Sequence, residues 1–213
     1  MPFAPLPEGA RPARPRDAAS LILHRPGVHG AEVLMGRRAA RHKFMPDVYV
    51  FPGGRLDPAD ADVVPLRPLR ADVIARFAGI GAPRRAQALA VAAVREAYEE
   101  TGLLLGKVDA AGLHPDLAGL DVLARAITPS ASPIRFHARF FIADGRTANG
   151  ELGGSGELLD LHWVPLAEAL KLPLADVTEF MLGEIGRRLA AARLDGAVPL
   201  WGYRRGSVRV RRG

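Results

Sequence analysis

The sequence predicts a single mixed α/β (α+β) domain, and three observations support that fold class. Two segments of largely apolar residues, 18–24 and 31–37, flank a turn that contains Pro and Gly and predict a β-hairpin. In a third segment, 134–143, basic residues alternate with apolar ones, and this period of two predicts another strand. Residues 84–101 contain no Pro or Gly, are rich in Ala, Leu, Glu and Arg, and predict a helix. We therefore expect a central sheet with helices packed against it.

Length and composition restrict the class of protein. The chain has 213 residues, 48% of them hydrophobic, which is enough for a substantial core around one active site. The absence of cysteine excludes disulfides, thiolate metal sites and cysteine nucleophiles, so a metal ion would be held by oxygen or imidazole. The formal net charge of +6 agrees with anionic substrates. No segment has the apolar length of a signal peptide or a membrane span, so we expect a soluble cytoplasmic protein without a membrane partner.

The helix predicted at residues 84–101 has two chemically different faces. At about 100° per residue, Glu96, Glu99 and Glu100 fall on one side. Three carboxylates at this spacing repel each other by roughly 0.2 to 0.5 kcal/mol per pair in water, so we expect a counter-charge. Arg95 adjoins them, and its guanidinium suits a two-pronged hydrogen bond to one carboxylate. The alternative is a solvated helix face. The opposite side, expected in the core, carries Ala90, Val91, Val94, Ala97 and Tyr98.

A glycine turn precedes this helix in the chain. Residues 49–51 predict a strand that runs into Pro52, Gly53 and Gly54, and glycines let a backbone approach a helix or a ligand closely. Together the turn and the acidic helix resemble the signature of the Nudix hydrolases, which reads Gly, five residues, Glu, seven residues, then Arg-Glu-apolar-x-Glu-Glu-x-Gly-apolar. In this signature Gly54 matches the first Gly. The second half matches at Arg95, Glu96, Ala97, Glu99, Glu100, Gly102 and Leu103.

The match departs from the signature in one residue and in length. Asp60 stands where the family has Glu, and we expect it to take that structural role near Arg95. An insert of about 27 residues then separates the two halves of the signature, which is called the Nudix box below. We expect the insert at about residues 57–83, with a short helix at 69–78. A split box of this kind resembles the branch that includes coenzyme A diphosphatases.

The resemblance covers most of the chain, about residues 18–170, and implies the Nudix fold. That fold is a mixed β-sheet sandwiched between helices, here with a helical insert inside the Nudix box. We divide the chain into a flexible N-terminal arm, a Nudix domain that ends with a helix at about 175–194, and a basic tail. The tail is an edge strand, an interaction arm or a segment without ordered structure. The three divisions are residues 1–16, 17–195 and 196–213.

The resemblance also implies roles for the carboxylates. Glu96, Glu99 and Glu100 would bind one or more Mg²⁺ or Mn²⁺ ions, which are hard and prefer oxygen ligands. Arg95 would orient these carboxylates. In the family, a glutamate on the loop before a later strand often binds metal or acts as the base, which indicates Glu157 first. Glu151 is the second candidate, and the base remains open among Glu99, Glu100 and Glu157.

Substrate contacts are expected from the glycine turn and from basic side chains. Gly53 and Gly54 would let the loop pass close to the metal and the substrate. Arg135 and His137 share one side of the strand at 134–143 and would contact phosphate or base, with an outward polar face as the alternative. Arg37 belongs to a basic loop that either binds phosphates or is solvated, formed by Arg37, Arg38, Arg41, His42 and Lys43.

The implied reaction is hydrolysis of the pyrophosphate bond of a nucleoside diphosphate linked to a second group. The branch favours coenzyme A or acyl-coenzyme A as substrate, while ADP-ribose, dinucleotide polyphosphates and capped RNA stay open, with RNA the least favoured partner. The competing hypothesis is a non-catalytic nucleotide-sensing Nudix module. Such modules usually lack part of the acidic cluster or carry a DNA-binding domain, whereas this chain has the full cluster. A homodimer is common in the family.

Overall fold

The central sheet is built on the predicted hairpin. A computed structural model of the chain describes residues 11–39, 47–77, 83–191, 198–204 and 207–212. The two strands of the hairpin, β1 (Arg16–Gly27) and β2 (Gly30–Arg38), are antiparallel and longer than predicted. Gly30 closes the turn with a φ of 105°, a left-handed conformation that favours glycine.

The remaining strands extend this hairpin into a mixed sheet. In chain order they are β3 (Tyr49–Val50), β4 (Gly53–Arg55), β5 (Gly106–Asp109), β6 (Gly112–Pro115), β7 (Asp121–Ile127), β8 (Phe136–Asp144), β9 (Leu158–Pro165), β10 (Leu200–Arg204) and β11 (Ser207–Arg211). Within the described residues, nine strands form one sheet in the order β11-β10-β7-β8-β1-β2-β3, with β4 beside β1 and β9 beside β2. The pairs β1 with β8 and β7 with β10 are parallel, and the other pairs are antiparallel.

Helices cover both faces of the sheet. The helices of the described chain are α1 (Ala71–Arg76), α2 (Pro83–Thr101), α3 (Leu166–Ala169) and α4 (Asp176–Ala190). Alternate residues of β1 enter two separate cores. Leu21 and Leu23 pack with α2, whereas Ile22 packs with α4. The apolar run in β1 is therefore explained by burial on both faces, and the expected sandwich is confirmed.

The predicted core face of α2 is confirmed except at Tyr98. Val91, Val94 and Ala97 are fully buried, but Tyr98 is 38% exposed. In the last turn of α2 the buried side carries Ala97, Glu100 and Thr101, and Tyr98 lies away from it. The acidic face is therefore not uniformly solvated, because one of its three carboxylates, Glu100, points toward the protein interior.

The segment between β4 and α2 is mostly short turns. A 3₁₀ turn spans Pro58–Ala61 and is capped by Asp57. The predicted short helix is present as α1, which begins two residues later and ends two residues earlier than expected. After α2 the chain forms the separate hairpin of β5 and β6.

The end of the chain forms a hairpin. Of the three alternatives for the tail, an edge strand is observed: β10 pairs with β7, and β11 is the outermost strand of the sheet. The predicted final helix ends at Ala190, and its last predicted residues lie outside the described part of the chain. The same holds for residues 1–10 of the arm and for Arg41, His42 and Lys43. No helix in the described ranges has the length and apolar character needed to cross a membrane.

Candidate functional site

Arg95 organises the carboxylates at the end of α2. Its guanidinium donates two hydrogen bonds to Asp60, from Nε to Oδ1 at 2.8 Å and from Nη2 to Oδ2 at 3.1 Å. Nη1 donates to Glu96 at 3.0 Å and to Glu99 at 3.1 Å, and Nη2 also donates to the carbonyl of Arg55 at 3.2 Å. Hydrogen bonding to Asp60 is the main cause that raises the pKa of Arg95. The predicted orienting contact is therefore present.

Asp60 is the buried anchor of this arrangement. Its side chain is only 2% exposed. Besides the fork from Arg95, its Oδ2 accepts a hydrogen bond from the backbone N–H of Asp57 at 2.8 Å, which completes the capping box of the 3₁₀ turn. Asp60 is thus held from two sides and takes the structural position expected for the first acidic residue of the signature.

The glycine turn holds Glu100. The backbone N–H of Gly53 donates to Glu100 Oε2 at 2.9 Å, and Glu100 is 8% exposed. Burial raises the pKa of Glu100 to about 7, although the hydrogen bond from Gly53 opposes the change. The charges of Glu96 and Glu157 raise this pKa further, whereas Arg38 lowers it. Glu100 therefore changes its protonation state near neutral pH.

The close approach of β4 to its neighbours requires glycine. A Cβ on Gly53 would lie 2.4 Å from Ser20 Oγ and 2.5 Å from the carbonyl of Ala19 on β1. A Cβ on Gly54 would lie 2.3 Å from the carboxylate of Glu96. A Cβ at Gly53 would require a shift of the β1 backbone, whereas a Cβ at Gly54 would displace the carboxylate of Glu96. The two predicted glycines therefore let β4 pass between β1 and the carboxylates of α2.

The three glutamates form one acidic cluster with different exposures. Glu99 is 55% exposed, whereas Glu96 and Glu100 are mostly buried. Burial raises the pKa of Glu96 despite the adjacent Arg95, and the charge of Glu99 raises it further. Among the described residues, no three His, Cys, Asp or Glu side chains are arranged as a preformed metal cage. The donor chemistry is nevertheless that of a hard cation, since Glu96, Glu99 and Glu100 carry carboxylate oxygens within the last two turns of one helix.

Glu157 and Glu151 lie on the loop that leads into β9. Both are exposed. The charge of Glu157 acts on both Glu100 and Arg38, and its carbonyl accepts a hydrogen bond from the backbone of Ala39 at 3.3 Å. The backbone of Glu157 therefore lies beside the end of β2, next to Arg38. The backbone of Glu151 lies close to Gly102 at the end of α2. A Cβ on Gly102 would be 2.5 Å from the carbonyl oxygen of Glu151.

A cavity of about 590 Å³ adjoins the glycine turn. Most of its wall is apolar, with Phe136, Ala138 and Phe140 of β8 on its floor and the start of α4 on its far side. Its volume lies within the range of small-molecule sites. Other lining residues that matter for the site are Ser20, Arg38, Phe51, Gly53, Gly54, Trp201 and Tyr203.

The predicted basic contacts lie elsewhere. Arg37 is not on the cavity wall and donates to Asp47 at 2.8 Å, whereas its neighbour Arg38 lines the cavity. Arg135 donates to the carbonyls of Thr128 and Ala13 at 3.1 and 2.8 Å. His137 faces the α2 side of the sheet, because the alternate residues of β8 face the cavity. The structure does not bring these three predicted residues to the acidic cluster.

Sequence reasoning missed the side chains that line the cavity. Trp201 and Tyr203 come from the tail, for which the sequence left an edge strand as one of three alternatives. Arg38 was within the predicted basic loop, but the pattern did not distinguish it from Arg37. The distinction follows from strand alternation in β2, which sends neighbouring side chains to opposite faces. Burial lowers the pKa of Arg38, and the charges of Glu100 and Glu157 oppose the change.

Comparisons with known proteins are consistent with this geometry. A family model described as the NUDIX domain matches residues 75–181. A NUDIX hydrolase from Alicyclobacillus acidocaldarius is 31% identical, with 80% of this chain and 90% of that chain covered and a TM-score of 0.64. A search of curated proteins gives no match.

Two more distant structures share the fold alone. A MutT protein from Bacillus halodurans is 17% identical, with 92% of this chain and 97% of that chain covered and a TM-score of 0.54. The NUDIX domain of NrtR from Shewanella oneidensis, complexed with ADP ribose, is 16% identical, with 83% and 90% covered and a TM-score of 0.51.

Replacement of Asp60 should destabilise the protein strongly. Asp60→Asn removes the charge that Arg95 faces in a mostly buried position, and we expect the free energy of unfolding to fall by about 2 to 4 kcal/mol in urea denaturation. Asp62→Asn is the matched control, because Asp62 pairs with Arg84 in an exposed position. That variant should stay within about 0.5 kcal/mol of wild type. Equal effects of the two variants would contradict the anchoring role of Asp60.

The burial of Glu100 should make the stability of the metal-free protein depend on pH. Its pKa is about 7 in the folded protein and near 4.5 when unperturbed. The folded state therefore binds the proton more tightly, and this contribution to stability is lost as the pH rises from about 4.5 to about 7. Glu100→Gln should remove that slope, which is at most about 1.4 kcal/mol per pH unit. Denaturation in the presence of a chelator measures it, with Glu168→Gln on α3 as the control that keeps the wild-type slope.

Proposed function

This chain belongs to the Nudix hydrolase family, and on that premise we propose that it cleaves the pyrophosphate bond of coenzyme A or an acyl-coenzyme A with the help of Mg²⁺ or Mn²⁺. The membership rests on the family model, which spans half of the chain, and on the relative that is 31% identical. The chain is accordingly a pyrophosphatase acting on nucleotide pyrophosphates. The observation that carries the proposal is the acidic cluster beside the glycine turn, at the edge of an apolar cavity.

The chain offers suitable ligands for a divalent cation. Nudix enzymes typically depend on such an ion. We assign Glu96, Glu99 and Glu100 as the residues that would hold it, because all three are oxygen donors and their mutual repulsion favours a positive partner. When bound, the ion would supply positive charge to the carboxylates and to the oxygens of a diphosphate. Arg95 would keep Glu96 and Glu99 directed to the same place.

The reaction breaks one P–O bond of the bridge and forms a new P–O bond to water. A carboxylate must accept the proton that the water loses, and the bridging oxygen leaves with the other phosphoryl group. Glu99, Glu100 and Glu157 are the three candidates for this base. Burial raises the pKa of Glu100 to about 7 in the absence of a cation, and a bound cation would favour its ionised form, which can accept a proton. Glu99 and Glu157 are exposed and have direct access to water.

The cavity supports a substrate with a flat or apolar group next to its diphosphate. Phe51, Phe140 and Trp201 offer aromatic surface, and Arg38 offers a cation at the side of the cluster. We therefore propose Arg38, in place of Arg37, as the contact to a substrate phosphate. Gly53 and Gly54 bring the backbone between the cluster and the cavity.

The preference for coenzyme A rests on the interrupted signature. The segment between Gly54 and Arg95 contains a 3₁₀ turn and α1. We propose that this segment is the helical insert of the coenzyme A diphosphatase branch. The products would then be 3′,5′-ADP and a phosphopantetheine. ADP-ribose and dinucleotide polyphosphates are the alternative substrates.

Loss of one acidic side chain should remove most of the activity. We expect Glu99→Gln or Glu100→Gln to lower turnover by about 10²-fold to 10⁴-fold, because each change removes a charge that holds the cation or accepts the proton. Steady-state kinetics with Mg²⁺ or Mn²⁺ measures the loss, and circular dichroism checks the fold. Glu168→Gln, at an exposed position of α3, is the control and should keep full activity. Wild-type turnover that survives thorough chelation would count against the metal-dependent mechanism.

A substrate panel tests the choice of coenzyme A. Coenzyme A, ADP-ribose, NADH, diadenosine polyphosphates and capped RNA are incubated with Mg²⁺ or Mn²⁺, and the products are separated by chromatography. We expect coenzyme A to have the highest kcat/KM and to yield 3′,5′-ADP. A higher kcat/KM for ADP-ribose would replace the proposed substrate. Tight binding without cleavage of any compound would instead favour a sensing module.

A further inference from the structure

A cluster of basic side chains lies on the α2 face of the sheet, opposite the face that forms the cavity. The cluster consists of Arg85, Arg125, His137 and Arg139 and is called the basic cluster below. Strand pairing brings its members together: Arg125 of β7 is directly opposite Arg139 of β8, and His137 is opposite Asp17 of β1. Arg85, in the first turn of α2, pairs with Asp17 from above the sheet.

The positive charge of the basic cluster is only partly neutralised. Asp17 accepts hydrogen bonds from both Arg85 and Arg139. One carboxylate therefore faces two of the three guanidinium groups, and Arg125 has no ion pair within the described part of the chain. Like charges directly opposite each other on neighbouring strands destabilise a sheet. The local charge exceeds neutrality by two even when His137 is uncharged.

Three individual side-chain nitrogens of the basic cluster are buried without hydrogen-bond partners in the described chain. The side chain of Arg139 is 1% exposed. Within the described residues, Nε of Arg125, Nε of Arg139 and Nε2 of His137 are buried and have no hydrogen-bond partner. Buried polar groups in proteins are nearly always hydrogen-bonded, and buried charges are paired. Three unpaired nitrogens on adjacent strands, in a region of excess positive charge, form a set of donors suited to an anion.

We propose that the basic cluster binds a compact oxyanion of the phosphate class, at a site separate from the catalytic carboxylates. A phosphate dianion balances the excess of two charges, and the planar fork of a guanidinium matches two of its oxygens. A neutral imidazole donates through Nε2 when that nitrogen carries the proton. Burial lowers the pKa of His137 to about 4, so the ring is neutral at physiological pH.

The site is distant from the place of hydrolysis. Arg85 and Glu99 are 14 residues apart on one helix, which corresponds to about 21 Å along its axis. An oxyanion here would join β1, β7, β8 and α2 through charge-assisted hydrogen bonds. Its effect would therefore be on the stability of the fold and not directly on bond cleavage.

Inorganic phosphate provides the test. The midpoint of thermal unfolding is measured in the presence of a chelator, with phosphate replacing chloride at constant ionic strength. We expect a saturable rise, by about 3 to 6 °C when phosphate is at ten times its Kd. Arg125→Gln should abolish this rise. Arg146→Gln, which removes an exposed arginine after β8, should keep it in full. Turnover should be unchanged in both variants.

A second measurement does not depend on any variant. The imidazole resonances of His137 are followed by NMR in the wild-type protein, first with inorganic phosphate and then with AMP. We expect a shift that saturates with the same Kd as the thermal response. The compound with the lower Kd, inorganic phosphate or AMP, shows whether free phosphate or a nucleotide phosphate is the better ligand. A thermal response identical to that of chloride, an unaltered response in Arg125→Gln, or static His137 resonances would each overturn the proposal.

Discussion

The forked ion pair between Arg95 and Asp60 is the constraint on which the arrangement of the site depends. It joins the 3₁₀ turn after β4 to α2, and so it fixes the distance between the glycine turn and the acidic cluster. The pair is largely removed from water, where two such charges are stable only if their other hydrogen bonds are made. Here they are made, by the N–H of Asp57 to one partner and by the carbonyl of Arg55 and two glutamates to the other.

Glu100 is held by a backbone hydrogen bond and not by Arg95. Arg95 orients the outer glutamates, but the inner one faces the core, and the backbone of Gly53 is its hydrogen-bond donor. The last turn of α2 therefore places two neighbouring carboxylates in different environments. Glu99 is partly exposed beside Arg95, whereas Glu100 is buried beside β4. A cation bound by Glu100, as proposed above, would compete with a proton for that carboxylate, so metal occupancy and the protonation of Glu100 would be linked. The glycines are what make this desolvation possible.

Local pattern was sufficient to predict the hairpin of β1 and β2, helix α2 and the glycine turn. Each of these is marked in its own sequence by a clear hydrophobic period or by Pro and Gly residues that end an element. The contact of Arg95 with Glu96 and Glu99 follows from their spacing on one helix. The placement of Arg37 and His137 was not predictable in this way. A period of two shows which residues share a face of a strand, but not which face meets the cavity. That choice is made by α4 and by the final hairpin, which lie far away in sequence. Tyr98 was misassigned for a similar reason, because the core is displaced around the last turn of α2.

The cavity takes one of its walls from the last strands of the sheet. Trp201 and Tyr203 belong to β10, which pairs in parallel with β7 across more than 70 intervening residues. A polypeptide shortened by proteolysis or by premature termination before β10 would retain every carboxylate, the arginine and the glycine turn. It would lose the aromatic side of the pocket and expose the edge of β7. The carboxylates of α2 and one aromatic wall of the cavity are therefore encoded in separable parts of the chain, and loss of the final strands would reshape the cavity while the carboxylates stayed in place.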